Sequence, residues 1–130
     1  MTTRAKISTK GFEEYLEKLA AAGQDVDKSI HKALDAGADV AIEGMRRRVP
    51  KDTGNLENHI NKTEVKQNGN YSFIEVGVLS ADDETARYGN AQEYGTSSMP
   101  AQPYIRPTMK EDAGKIRKAM KESLSEDGVI

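Results

Sequence analysis

Between Asp25 and Pro50 the apolar residues recur at helical spacing, with Val26, Ile30, Ala33, Leu34, Ala41 and Met45 on one stripe. A long amphipathic helix of this kind has to be covered by other elements of the chain. Asp25 is its expected N-cap, Arg46-Arg47-Arg48 suits the negative end of its dipole, and Pro50 ends it. A shorter helix precedes it: Phe12, Tyr15, Leu16 and Leu19 fall at i, i+3, i+4 and i+7, and Gly23 supplies a stop. A last helix is expected from Pro107, a favoured first helical residue, with Met109, Ala113, Ile116, Met120 and Leu124 on its apolar side. That stripe is narrow and Met-rich, which favours an adaptable contact over a rigid core.

The middle of the chain reads as strand. Asn68-Gly69 is a strong two-residue turn signal, and Tyr71–Leu79 beyond it is rich in β-formers, with Lys62–Gln67 as its expected partner. A short helix over Ala86–Tyr94 ends at Gly95, and Pro100, Pro103 and Pro107 enforce an extended run from Thr96 to Arg106. The expected fold is α+β: a small antiparallel β-sheet packed against N-terminal and C-terminal helices. At 130 residues the expectation is a single domain, 1–130, with 1–10 and 126–130 as flexible ends.

Composition limits the core and the chemistry. Leu, Ile, Val and Phe number 23, with 14 Ala, so the core is thin and expected to lean on neighbouring subunits; the near-balanced charge of −2 argues against disorder. The absence of Cys removes disulfides, thiolate metal sites and cysteine nucleophiles. No run reaches the ~18 apolar residues of a membrane helix, and Met1–Lys6 leads into no apolar signal-peptide segment, so production in the cytoplasm is expected. Charge is uneven: residues 52–105 carry three basic and eight acidic side chains, an acidic belt between two near-neutral ends.

Short motifs give little sign of catalysis. Asp52-Thr53-Gly54 matches the active-site triplet of aspartic proteases, whose Asp needs a buried apolar strand end to tune its pKa. Here Lys51 and Asn55 make the setting polar, which favours a turn in which Asp52 or Thr53 caps a short helix carrying Leu56 and Ile60. Arg46-Arg47-Arg48 with Lys51 could hold phosphates, but three consecutive helical residues do not share a stripe, and a solvated helix end or an acidic partner surface is the expectation. His31 and His59 lie on different elements without metal-ligand spacing, and Asp82-Asp83-Glu84 reads as a solvated loop. No catalytic, cofactor-binding or metal-ligating set emerges.

One segment has the make-up of a binding surface. Tyr88–Pro107 combines three tyrosines, three prolines and Met99 with few charges, so it offers rigid contact area at low entropic cost. Together, Val49-Pro-Lys-Asp-Thr-Gly-Asn-Leu-Glu-Asn-His-Ile60 and Tyr88–Met109 resemble the neck, or head–tail joining and tail-completion, family of long-tailed bacteriophages and prophages. The matched residues are Pro50, Thr53, Gly54, Leu56 and Ile60, then Tyr88, Glu93, Tyr94, Gly95, Thr96, Pro100, Pro103, Arg106 and Pro107; His59, Gly89 and Tyr104 depart from the usual Ser, Ala and Phe.

The resemblance implies a virion protein, made in the bacterial host cytoplasm, that joins head to tail or completes the tail by ring assembly. Its implied partners are other neck and tail proteins and further copies of itself, with DNA passing nearby without sequence-specific binding and no membrane. On this reading Tyr88, Glu93, Tyr94, Gly95, Thr96, Met99, Pro100, Pro103, Tyr104, Arg106 and Pro107 form the partner-binding surface, and Pro50, Asp52, Thr53, Gly54 and Leu56 a structural turn. An acidic middle would suit a surface that DNA slides past. The competing readings are a tail-terminator-like minor tail protein, a small aspartic-type protease using Asp52, and a nucleic-acid binder using Arg46–Arg48.

Overall fold

A computed structural model of the chain describes residues 3–50, 55–79 and 82–126. The elements are β1 (Thr3–Ser8), α1 (Glu13–Ala21), α2 (Val26–Arg48), α3 (Asn55–Asn58), β2 (Ile60–Lys62), β3 (Lys66–Asn68), β4 (Tyr71–Val78), α4 (Asp83–Tyr94), α5 (Ile105–Glu111) and α6 (Ala113–Ser125). The fold is α+β, an antiparallel sheet packed against helices from both ends of the chain.

β4 is the centre of the sheet. β1 pairs with it on one side, and β2 and β3 pair with it on the other. Ile60 stands opposite Val78 and Lys66 opposite Phe73, so Thr63–Val65 oppose one residue fewer on β4 and form a bulge. Thr63 holds this bulge with both its backbone N–H and its hydroxyl, which bond the carbonyl and N–H of Glu75. Alternation along β4 sends Ser72, Ile74, Val76 and Val78 inward and leaves Tyr71, Phe73 and Glu75 on the outer face. The inner face, with Ile7 and Ile60, joins Ala38, Ala41, Ile42 and Met45 of α2 in one buried cluster.

Several expectations are corrected. Residues 1–10 are not simply a flexible end, because Thr3–Ser8 forms β1, in which Thr3 and Ile7 are buried and Arg4 and Lys6 exposed; residues 127–130 lie outside the described residues. The hairpin turn is Gly69-Asn70, one residue later than expected, since Asn68 pairs with Tyr71 and Gly69 takes the positive φ of 63°. Ile60 belongs to β2 and not to the short helix, which ends at Asn58. Asp82-Asp83-Glu84 opens α4 instead of forming a loop: Asp82 is the N-cap and accepts the Thr85 N–H at 2.6 Å.

The last helix is two helices, α5 and α6, meeting at Asp112. Its Met-bearing stripe is core. Ile116, Met120 and Leu124 are buried, and Met120 sits so close to Gly37 that a Cβ there would lie 2.9 Å from its Cγ. Asp112 lies against Gly44 and Met120 against Gly37, so α6 runs antiparallel to α2. Asp25 caps α2 as expected, accepting the Lys28 N–H. No described helix is long and apolar enough to cross a membrane.

Candidate functional site

The proline-bearing segment leaves α4 at Gly95 and returns to the fold at α5. Gly95 has φ 78°, and a Cβ on it would lie 2.9 Å from the Ala101 backbone nitrogen, so glycine is required twice over. The Gly95 N–H donates to the Ala91 carbonyl and closes α4. Thr96–Met99 is a tight turn, not an extended run: the Thr96 and Met99 backbones bond each other, and the Gln102 N–H then donates to the Gln92 carbonyl at 2.7 Å.

Glu93 fastens the far end of this arm. Its carboxylate is fully buried, yet it gathers four donors from eleven to thirteen residues away. Oε1 accepts the N–H groups of Tyr104 at 2.9 Å and Ile105 at 2.7 Å; Oε2 accepts the Arg106 N–H at 3.0 Å and its Nε–H at 2.8 Å. The Arg106 guanidinium also donates to the Glu93 carbonyl. These N–H groups open α5, where no residue of the helix supplies an acceptor, so Glu93 caps α5 from a distance. Burial pushes the Glu93 carboxyl up, but the N–H groups of Ile105, Arg106 and Tyr104 and the Arg106 side chain outweigh it and hold the pKa below the ordinary carboxylate range.

Tyr104 lies beneath the clasp, fully buried, with its hydroxyl donating to the Gly89 carbonyl at 3.1 Å. Burial, reinforced by the Glu93 charge, raises its pKa. Its carbonyl accepts the Thr108 hydroxyl at 2.7 Å.

The expected binding residues therefore divide. Glu93 and Tyr104 are interior and shape the arm without being able to touch a partner. Tyr94, Thr96, Pro100 and Arg106 are exposed, with Tyr94 58% accessible and Tyr88 38%, while Gly95, Met99, Pro103 and Pro107 are half-buried. The Arg106 guanidinium stacks over the Tyr94 ring at 4.9 Å, so one face of an exposed aromatic is ordered by the residue that Glu93 holds. Pro103, Arg106 and Pro107 line a shallow open depression of about 350 Å³ together with Lys110 and Glu111. Sequence reading missed those last two; their spacing after Pro107, one helical turn on, was the available signal.

Ile105 and Arg106 are helical and not extended, and Pro107 is the third residue of α5 instead of the first. In the expected structural turn, Pro50 is half-buried and Leu56 is buried. Asp52, Thr53 and Gly54 lie outside the described residues, as does the protease reading built on Asp52.

The arginine run is in part the solvated helix end expected, since Arg46 and Arg47 are exposed, but all three side chains have partners within the chain and Arg48 is half-buried. Arg46 donates to the Ile60 carbonyl at 3.0 Å, Arg47 to Asp112 at 3.0 Å, and Arg48 to Asp112 at 2.8 Å, to Thr108 at 3.0 Å and to Glu111 at 3.1 Å. The acidic surface it meets belongs to this same chain, and the Arg48 hydrogen bonds hold the Asp112 carboxyl below its usual range. Among the described residues no three His, Asp or Glu side chains group as metal ligands would.

A family model described as "Bacteriophage HK97-gp10, putative tail-component" matches residues 10–95. The match runs from α1 through α4 and takes in β2, β3 and β4 but not β1, and it stops at Gly95, where the arm begins. Comparison with curated proteins and with solved structures gave no match. The family matched over most of the chain is a phage tail component, and the chain belongs to this HK97-gp10-like family.

Proposed function

We propose that the protein is a structural component of the neck, joining head to tail or completing the tail by assembling as a ring, and that the arm between α4 and α5 docks onto its neighbours. The observation that carries the reading is the Glu93 clasp. A buried carboxylate with four donors is an expensive way to fix a loop, and what it fixes is an exposed surface: Tyr94 under Arg106, flanked by Pro103, Pro107 and Lys110. Aromatic and Arg side chains with ordered geometry are what interface hot spots use, and prolines lower the entropy lost on docking. The protein acts by assembly and not by turnover, in the virion, with other neck and tail proteins as partners and DNA passing nearby.

The test is complementation of a gene deletion in the phage or prophage that encodes the chain. Tyr94→Ser and Pro103→Gly should yield folded protein with a melting temperature near wild type, and few plaques. Negative-stain micrographs should show DNA-filled heads apart from tails, or tails of faulty length. Normal virions from both variants would contradict the proposal.

A further inference from the structure

We propose that the outward face of the sheet holds the phosphate backbone of duplex DNA without reading its sequence. The pairing of β1 with β4 sets Arg4 opposite Gly77 and Lys6 opposite Glu75, and β3 sets Lys66 opposite Phe73, so cations from two strands converge on one face. Tyr71 and Phe73 stand side by side there, ring centroids 6.2 Å apart. The Lys6 ammonium lies 4.3 Å over the Phe73 ring and the Lys10 ammonium 4.3 Å over the Tyr71 ring. An aromatic face holds an ammonium in place while leaving its outer side hydrated, so these two charges are positioned in advance, facing away from the fold.

Glu75 is the carboxylate that the face shares, bonded to Lys66 at 2.9 Å and to Arg4 at 3.5 Å. Three cations, Arg4, Lys6 and Lys66, thus stand around one carboxylate, with Lys10 further along the face at Tyr71, on a chain whose net charge is −2. Of the acidic middle, Glu93 is buried in the clasp and Asp82–Glu84 are exposed at the start of α4, while Glu64 is exposed at the bulge beside Lys66.

The same geometry selects the ligand. One face of each ring carries an ammonium, and the Asn68 amide is committed to the Tyr71 hydroxyl at 3.0 Å, so these groups present charge where a stacking platform would need a bare ring. What remains is a set of positive charges for a polyanion. Duplex DNA, with one charge per ~1.7 Å of axis, offers such a dense, regular row of phosphates.

The experiment is fluorescence anisotropy of the full chain with a labelled duplex of about 20 base pairs and with an oligothymidylate of the same length, across ~50 to ~200 mM NaCl. We expect salt-sensitive binding with a log–log slope near −3, the value for three to four phosphate contacts, and the duplex bound more tightly than the single strand. Lys6→Glu with Lys10→Glu should weaken binding at least about tenfold, Lys6→Gln with Lys10→Gln less, both with an unchanged melting temperature, while Lys118→Glu on α6 should leave it intact. Three results would each overturn the proposal: no duplex binding at ~50 mM salt, tighter binding of the single strand, or sheet-face variants that alter sedimentation of the protein alone and not its DNA binding. The last would assign the face to contacts between copies of the chain.

Discussion

Removal of the Glu93 carboxylate tests how the arm is held. In Glu93→Ala the buried N–H groups of Tyr104 and Ile105 lose their acceptor, and a buried donor left without one costs about 1–3 kcal/mol. The Arg106 donors cost less, because that side chain is 56% exposed and can be hydrated; its ion pair with Glu93 is therefore discounted toward the 0–1 kcal/mol of surface pairs. The total is about 2–7 kcal/mol. Glu93→Gln keeps one carbonyl oxygen for Tyr104 and Ile105 but turns its amide toward the Arg106 donors, and should cost about 1–3 kcal/mol. Arg106→Met should cost under about 1 kcal/mol. With a urea m value of about 1–3 kcal/mol per M, Glu93→Ala should lower the unfolding midpoint by at least about 0.7 M. If Glu93→Ala and Arg106→Met shift the midpoint equally, the backbone cap is not what Glu93 provides.

The same clasp makes the fold acid-sensitive: the folded pKa of Glu93 lies below the unfolded value of about 4.3, so its contribution is complete above that pH and is lost as pH falls through the lower folded value. Urea midpoints measured down the acid range should therefore fall more steeply for wild type than for Glu93→Gln. Gly77→Ala should detach β1, since a Cβ there would lie 2.1 Å from the Thr3 carbonyl oxygen; hydrogen exchange should show loss of protection at Thr3–Ser8. Ile116→Ala, buried against α2, should cost about 2–4 kcal/mol and Lys118→Ala almost nothing, and equal melting temperatures for the two would place the apolar face of α6 wrongly.

What the sequence showed was what local chemistry determines. The α2 stripe, its Asp25 cap and its Pro50 stop are read within a turn or two of themselves, and all three hold. The failures share a cause. Thr3–Ser8 alternates buried and exposed side chains, but so short a run declares itself a strand only beside β4, about seventy residues on. Pro107 looked like the first residue of a helix because α5 starts earlier, on an acceptor that Glu93 supplies from another element. Arg48 looked solvated because its partner, Asp112, is 64 residues away. For the segment proposed to bind partners, the sequence did not show which residues lie inside: Glu93 and Tyr104 are buried, while Tyr94, Pro100 and Arg106 are exposed.

The most direct test of a neck role is the position of the chain in the particle. Gold-labelled antibodies against the protein, applied to intact virions and to isolated tails, should mark the junction of head and tail, or the head-proximal end of the tail, and nowhere else. Label along the tail tube, label at the distal tip, or particles that carry none of the protein would contradict the account.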